Sequence, residues 1–549
     1  MRITALALIA AVLTLPAVAE GKTGKPPKMQ LLSKSAGGGF PNGPSHNGVF
    51  SQDRQLASLA AFDSDASNIV PKDANGFTDV FLVHRKRPYS DRGEPWQRGR
   101  VSLISRARGG GPANGRSYAP DLDGEQSNRP RCIAFISEAS NLVPGDTNGV
   151  ADAFVKNLRT GRLQRVSVNS AGQQANGPST EVKIDGHCDR VAFVADATNL
   201  ALTATGKLAW KSAVSGVPAA GASQVYVRVI DSRTDNSALK GLTFLASATS
   251  AGEPGNGASY DLAFARGGGG CGRQGRCGDF SGEAVFFASQ ATNLSNADPD
   301  AGADIYRRSF DRHFVRLRFP HARNVDGERV RSTLVGVGPM RMTTRLMSVN
   351  SHGERGNGPS DQPAATDSGQ YVVFRTEASN LLGRDGNHHA DVVRLEPATG
   401  NYEAISRTRH GRLGNGPSGH PAIGRTGQDI VFESSATNLN PNDRNCAGDV
   451  YHLDMPANFQ LLASIDSRDN VPNAPFGTPT PCPRVVAAPI VNPRVSYYLN
   501  YMLLESSYVL LDRPLAKKVF PTVGRTGAAR RSTRDPSLHQ VYLRFLSPR

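Results

Sequence analysis

The sequence predicts an all-β protein: a seven-bladed β-propeller of four-stranded antiparallel blades, closed by the N-terminal strand. Three observations predict it. Asn-Gly-x-Ser recurs at Asn42–Ser45, Asn114–Ser117, Asn176–Ser179, Asn256–Ser259, Asn357–Ser360 and Asn415–Ser418. Each copy precedes a β-branched and aromatic run that leads into Asn-Leu or Asn-Ile, at Asn68, Asn141, Asn199, Asn293, Asn380 and Asn438. A second short run follows, headed by Asp79, Asp152, Gln224, Asp304, Asp391 and Asp449. A fixed order of phrases at a recurring spacing marks a repeat architecture. The runs alternate and are separated by turn residues, with no 3.6-residue period, so each unit reads as strands and hairpins.

The elements follow in chain order. Met1-Arg2, the apolar run Ile3–Leu15, Pro16 and Ala17-Val18-Ala19 have the layout of a cleaved export signal over 1–19. No Cys follows it to take a lipid, and no later stretch approaches 18 apolar residues. The expected destination is the periplasm or the exterior, with one propeller domain over 20–549 and no transmembrane segment. Met29–Ser33 reads as a strand with no partner before it; it matches Arg165–Asn169, the fourth strand of a complete unit.

The cleanest unit runs from Asn357 to Ser406. A short strand follows the Asn-Gly-x-Ser phrase, then Tyr371–Phe374, Asp391–Leu395 and Tyr402–Ser406, with Thr399-Gly400 as a tight turn. A four-stranded antiparallel unit repeated radially is a propeller blade. Spacings between phrases are 72, 62, 80, 101 and 58 residues, so the pure period is near 58 and the excess falls in loops. A degenerate last unit has Met502–Ser507 aligned with Ile430–Ser435, and Gln540–Phe545 as its third strand. It lacks a fourth strand, which Met29–Ser33 supplies, closing the ring and removing exposed edges. Six blades is the alternative if the last unit only caps the others.

Bulk properties agree. Apolar residues are 38% of 549, with 57 Gly and 36 Pro, as expected of a turn-rich β protein. The formal net charge is +15 and the pI about 9.7, which favours acidic partners, although the charge is spread and only one segment concentrates it. That segment, Arg307–Arg345, reads as an insertion in the fourth unit. It holds the basic patch Arg316, Arg318, Arg323, Arg329 and Arg331 with interleaved Phe310, Phe314 and Phe319. An anionic polymer would dock on it; a solvated loop is the plainer reading. Six Cys in an exported chain permit disulfides. Cys271 and Cys277 bracket a Gly-rich loop and are expected to pair. Spacing does not choose among the pairings of Cys132, Cys188, Cys446 and Cys482.

The phrases NGPS, VAF, ATNL and DVY with a following Thr-Gly resemble the WD-like repeats of TolB-type propeller proteins of bacteria, over about residues 29–545. The resemblance implies the propeller fold. It implies little of function, because the fold hosts hydrolases, lyases and scaffolds.

Antiparallel strands bring the Asn-Gly-x-Ser loop and the Asn-Leu loop out on one face, where binding is expected. Asn42, Ser45, Asn114, Ser117, Asn176, Ser179, Asn256, Ser259, Asn357, Ser360, Asn415 and Ser418 are the candidate contacts. The competing reading gives Asn-Gly the positive φ of a tight turn and Ser the cap of a strand. The second loop carries Asp73/Asn75/Asp79, Asp146/Asn148/Asp152, Asp298/Asp300/Asp304, Asp385/Asn387/Asp391 and Asp443/Asn445/Asp449. Oxygen donors at i, i+2 and i+6 can encircle calcium, but the Glu that completes an EF-hand is missing, and an Asx-turn explains the same spacing.

Catalytic signatures are absent: no G-x-S-x-G, H-E-x-x-H or phosphate-binding glycine loop occurs, and His388-His389 sits in a polar loop. No residue is singled out as catalytic. The function expected is a non-enzymatic, monomeric interaction platform for a protein or an anionic envelope polymer, without specific nucleic-acid recognition. The alternative is a hydrolase or lyase of polysaccharide or peptide with its site on the same loop face.

Overall fold

A computed structural model describes residues 29–53, 57–86, 96–124, 129–200, 221–230, 240–265, 284–318, 332–383, 385–441, 443, 448–464, 490–495, 501–506 and 540–545. The expected export signal and the pairing of Cys271 with Cys277 lie outside these residues, as do Arg323, Arg329, Arg331, Asn445, Cys446 and Cys482.

The chain is an all-β propeller of four-stranded antiparallel sheets. The first strand, β1 (Met29–Leu31), belongs to a sheet completed only at the other end of the chain. Six blades follow, each built from consecutive strands. Blade 1 is β2 (Ser45–Phe50), β3 (Leu59–Ser64), β4 (Asp79–Arg85) and β5 (Arg98–Leu103); blade 2 is β6 (Ser117–Leu122), β7 (Cys132–Ser137), β8 (Asp152–Asn157) and β9 (Leu163–Arg165). Blade 3 is β10 (Ser179–Ile184), β11 (Arg190–Ala195), β12 (Gln224–Val229) and β13 (Thr243–Leu245). Blade 4 is β14 (Ser259–Ala265), β15 (Ala284–Ser289), β16 (Asp304–Arg318) and β17 (Ser332–Leu346). Blade 5 is β18 (Ser360–Ala365), β19 (Val372–Thr376), β20 (Asp391–Glu396) and β21 (Asn401–Ala404). Blade 6 is β22 (Ser418–Ile423), β23 (Asp429–Ser434), β24 (Asp449–Asp454) and β25 (Phe459–Leu462). The remaining sheet is composite: β26 (Ile490–Val495), β27 (Tyr501–Ser506) and β28 (Gln540–Phe545), with β1 on the outside of β28. Leu31 lies opposite Tyr542, and Leu32 N–H donates to Val541 O at 2.9 Å.

The second strands do not keep the period-2 alternation read from the runs. Second strands are buried on both faces, as in Cys132–Ser137 and Arg190–Ala195, because each sheet is sandwiched between neighbours. In five blades an aromatic on the second strand stacks on one directly opposite on the third: Phe62 on Phe81, Phe135 on Phe154, Phe193 on Tyr226, Phe287 on Tyr306 and Phe432 on Tyr451, with centroids 5.6–5.9 Å apart. The core is divided into clusters that each join two adjacent sheets. Leu31, Met502 and Tyr542 pack with Val431 and Val450 of blade 6, whereas Leu32, Leu503 and Val541 pack with Phe50 and Phe62 of blade 1.

The Arg307–Arg345 segment is a lengthened β16–β17 hairpin whose base is part of blade 4. Arg307 and Arg308 are each 1% exposed, so both are built into the blade and neither belongs to a surface patch. Among the described residues no helix is long and apolar enough to cross a membrane.

Candidate functional site

The two rim loops are locked together in every blade that carries the repeated phrases. Asn42 N–H donates to Asn68 Oδ1 at 3.0 Å, and the same bond joins Asn114 to Asn141, Asn176 to Asn199, Asn256 to Asn293, Asn357 to Asn380 and Asn415 to Asn438. The side chains of these first six asparagines donate to a Ser or Thr hydroxyl just before the second, as Asn42 does to Ser67 at 2.9 Å. All six asparagines are exposed, while Ser45, Ser117, Ser179, Ser259, Ser360 and Ser418 are buried, at most 4% exposed. Ser45, Ser117, Ser259, Ser360 and Ser418 pair with the hydroxyl opposite on the second strand at 2.8–2.9 Å. A ligand on the rim reaches the asparagines and not the serines.

The glycine of the phrase serves a different purpose from the one its turn chemistry suggested. None of Gly43, Gly115, Gly177, Gly257, Gly358 and Gly416 has a positive φ. A Cβ on any of them would lie 2.5–2.9 Å from the backbone of the neighbouring loop, such as Gln290 O for Gly257, so glycine is needed for close approach.

The Asp/Asn tails fold back on themselves. Asn75, Asn148 and Asn387 Nδ2 donate to Asp79, Asp152 and Asp391 Oδ2 at 2.8–3.0 Å, and to the carbonyls of Ala113, Ala175 and Gly414. Asn75 and Asn387 also accept an N–H two residues on, from Phe77 and His389, which is Asx-turn geometry. Asp79, Asp152, Asp391 and Asp304 accept from Ser105, Ser167, Ser406 and Ser348, each two residues past the fourth strand, at 2.5–2.6 Å, and Asp449 accepts from Ser464. Where a cation would sit, two blades place an arginine. Arg165 Nη1 lies 3.0 Å from Asp146 Oδ1, 2.9 Å from Asp152 Oδ2 and 2.7 Å from Gln174 Oε1. Arg355 meets Asp304 at 3.3 Å, Asp298 at 3.7 Å and also Asp300, the one all-carboxylate triple close enough to hold a metal among the described residues. Tyr306 and Tyr451 hydroxyls donate to Asp298 and Asp443 at 2.5 and 2.6 Å. Asp385 accepts the Asn387 N–H at 3.4 Å. Asp73 is pushed up to about 6, by burial first and by Asp79 second.

The chemistry that differs from blade to blade gathers elsewhere. Two residues past each buried Ser, the first strand bulges, shown by a register shift in every sheet. Asn47, Ala119, Asp261, Gln362 and His420 hold this position with φ between 46° and 54°, rare for residues with a Cβ. The bulge residue, or the residue opposite its start, takes a backbone N–H of the next blade. Asp63 Oδ2 accepts from Ala119 at 2.8 Å, Glu181 Oε1 from Leu262 at 2.9 Å, Asp261 Oδ2 from Gln362 at 3.0 Å and Gln362 Oε1 from His420 at 2.7 Å. This inter-blade relay was not legible as a motif, because the residue type changes at each step while its backbone role stays fixed. The only signal is its constant offset from the Ser.

The relay runs along the first strands of the blades, at the mouth of the hollow that those strands line. A cavity of about 240 Å³ below it is lined by Asp121, Glu181, Lys183, Asp261, Gln362 and His420. A second hollow of about 180 Å³ opens between blades 5 and 6, against Gln362, Arg375, His420 and Glu433. His420 Nδ1 lies 3.2 Å from Glu433 Oε2, and its Nε2 lies 3.3 Å from Gln362 Nε2. Arg375 Nη1 donates to both oxygens of Asp361 at 3.2 and 3.0 Å. Burial raises the Asp261 carboxyl above its ordinary value. Among the lining residues Asp121, Glu181, Asp261, Asp367 and Glu433 outnumber Lys183, Arg375 and Arg425, so the mouth carries an acidic excess on a chain that is basic overall. His388 and His389 stand apart from it in the blade 5 loop. Cys132 and Cys188 form a disulfide with Cα atoms 5.8 Å apart, joining blades 2 and 3.

No protein-family model matches the chain, and no curated protein sequence does either. Solved structures do resemble it. Oligogalacturonate lyase from Vibrio parahaemolyticus is 10% identical, with a TM-score of 0.43 over 95% of this chain and 97% of that one. TolB from Acinetobacter baumannii is 10% identical, with a TM-score of 0.31 over 70% of this chain and 58% of that one. The β-propeller domain of the Trilobed protease from Pyrococcus furiosus is 10% identical, with a TM-score of 0.29 over 79% and 99%. The likeness is one of fold, and the chain is similar to TolB-type and other propellers at that level.

Proposed function

We propose that this chain is an exported, monomeric binding platform whose channel mouth takes an extended, basic segment of a protein partner. In this reading the composite sheet serves as a seventh blade and closes the ring, fixing the mouth as a rigid collar. One observation carries the proposal: the polar residues that vary among otherwise repeated blades converge on the mouth, with carboxylates in excess. The buried repeated serines and aspartates bond within the fold, whereas varied residues such as Glu181, Asp261, Gln362 and His420 line the hollow, so recognition falls to them. An acidic collar attracts Lys and Arg and repels an anionic polymer, which weighs against envelope polyanions at this site. The exposed asparagines of the Asn-Gly-x-Ser loops stand on the same face and would meet the outer part of such a partner.

Fluorescence anisotropy with labelled extended peptides tests this. Lys/Arg-containing peptides should bind and weaken with salt, Glu-substituted ones should not, and Asp261→Asn with Glu433→Gln should lower affinity without moving the melting temperature. Equal binding of both peptide classes, or indifference to the two substitutions, would refute the reading.

A second reading rests on the His420–Glu433 pair: a hydrolase or lyase in which a carboxylate orients the imidazole as a general base. Release of product from a panel of glycans and peptides, abolished by His420→Ala, would favour it over the platform.

A further inference from the structure

Two cysteines and one carboxylate meet where blade 2 packs on blade 3. Asp123 follows β6, Cys132 opens β7 and Cys188 stands two residues before β11. All three are buried, with a carboxylate oxygen and both Sγ atoms within 4.8 Å of one another. Among the described residues this is the only group of three close metal-ligating side chains that contains sulfur. The turns that carry them are clamped together: Gly124 N–H donates to Gly186 O at 3.3 Å, and Arg131 Nη2 donates to His187 O. Cys188 itself is held at a φ of 58°, a left-handed value rare for a residue with a Cβ.

The disulfide leaves one atom of this group unused. Asp123 is 0% exposed, and its Oδ1 accepts the Arg131 and Cys132 N–H at 2.7 and 2.8 Å. Its Oδ2, equally buried, has no hydrogen-bond partner. Arg131, whose charge acts on Asp123, directs its Nη2 to His187 O and does not bond the free oxygen. Asp185, on the neighbouring turn of blade 3, is also 0% exposed with an unpartnered Oδ2. A buried carboxylate oxygen is costly to leave unpaired, and a cation satisfies it. One oxygen fixed by backbone donors and the other free is how a carboxylate is oriented to ligate a metal.

We propose that Cys132, Cys188 and Asp123 form a zinc site when the two sulfurs are reduced, so that disulfide and metal are alternative states of one pocket. Two thiolates and a carboxylate suit tetrahedral zinc, whereas calcium and magnesium require oxygen donors and an iron–sulfur cluster requires more cysteines. The fourth position falls to Asp185 or to water. Zinc–sulfur bonds of about 2.3 Å set two sulfurs about 3.8 Å apart, which side-chain rotation reaches from Cα atoms 5.8 Å apart. Reduction takes two electrons from a dithiol, which leaves as its own disulfide while its two protons pass to the Sγ atoms of Cys132 and Cys188. Zinc then displaces those protons to solvent as it binds the thiolates. The proposal does not depend on the channel mouth.

The test is zinc titration of the full chain, reduced with a phosphine and freed of it in the absence of oxygen. Calorimetry reads the stoichiometry, and cobalt(II) as a substitute reports thiolate ligation by its absorption. The double variant Cys132→Ser with Cys188→Ser controls for the other four cysteines. The reduced parent should take up one zinc per chain more than this variant, release about two protons with it, and melt later when zinc is present. Asp123→Asn, which keeps the acceptor for the two N–H groups, should weaken that extra site by at least about tenfold. The oxidised parent should lack it. Equal uptake by the reduced parent and the serine variant would overturn the proposal, as would equal uptake by the oxidised parent. Unchanged affinity in Asp123→Asn would also overturn it, since the site would then be a dithiol without its carboxylate.

Discussion

Ser33 Oγ donates to Gln540 Oε1 at 2.8 Å in the buried interior, although 507 residues separate them. Gln540 Oε1 also accepts from Ser45 Oγ at 3.0 Å, and its Nε2 donates to Gly43 O at 2.9 Å. Gln224 repeats the arrangement within blade 3, accepting from Ser247 at 2.6 Å and donating to Gly257 O at 3.0 Å and Gly255 O at 3.3 Å. In blades 1, 2 and 5 an Asp accepts the serine while a separate Asn donates to the carbonyl before the next Asn-Gly. One glutamine amide thus does what an Asp and an Asn do together. That is why the Asp/Asn tail is missing from the two sheets that carry glutamine.

Gln540→Ala should therefore destabilise the fold by more than a surface change, by about 1–3 kcal/mol for the buried partners left unpaired. Gln540→Asp restores the acceptor without the donor and should recover only part of the loss. Urea denaturation of both variants, with Ser33→Ala in a double-mutant cycle, measures the coupling across the two ends. Additive effects would mean that the contact contributes nothing.

Arg165 predicts a larger effect. Its side chain is 8% exposed, between Asp146 at 5% and Asp152 at 0%. Removing one member of a buried pair strands the other charges, at about 3–5 kcal/mol. Arg165→Met should lower the melting temperature sharply, and calorimetry reads it directly. Because Arg165 and Arg355 already neutralise their carboxylates, chelator should leave the parent's melting curve unchanged. A fall on adding chelator would show that calcium holds the remaining loops.

How much of this was legible in sequence depends on whether side-chain identity carries the role. Asn-Gly-x-Ser, the Asn-Leu Asn and Asp391 bond through their own side chains, so residue type repeats and the units could be read off. The match of Met29–Ser33 to Arg165–Asn169 was legible for the same reason, since Ser33 and Ser167 accept the same kind of backbone N–H. The bulge at Asn47, Ala119, Asp261, Gln362 and His420 hid because what repeats there is φ and a backbone donor. Arg165 and Arg355 come from non-equivalent places, a fourth strand and a rim loop, so no period marks them. Cys132 opens β7 and Cys188 precedes β11, but spacing does not choose their pairing, and only the packing of blade 2 on blade 3 brings them together.

The Cys132–Cys188 bond closes a loop of 56 residues between adjacent blades. Its removal should cost about 2–4 kcal/mol, chiefly through the freedom regained by the unfolded chain. Cys132→Ser with Cys188→Ser should melt earlier than the parent under oxidising conditions and match it after reduction. Equal melting in both conditions would mean that the crosslink adds no stability.

Stability should also fall between mildly acidic and neutral pH. Burial raises Asp123 to about 7 and Asp304 to about 7, and Asp391 to about 6, against about 3.9 in an unfolded chain. A carboxyl with a raised folded value binds its proton more firmly when native. Its contribution is complete below about pH 4 and is lost as pH climbs through 6 to 7. Native protein then holds more protons than unfolded protein across that window, and the slope of stability against pH is negative. Asp123 is the cleanest probe: it is 0% exposed and accepts Arg131 and Cys132 N–H at 2.7 and 2.8 Å through one oxygen only. Asp123→Asn keeps that acceptor and cannot ionise, so it should flatten the pH profile and narrow the stability gap between pH 5 and 8. Melting curves across this range decide it; a parent profile that rises from pH 5 to 8 would mean that these buried carboxyls ionise without penalty.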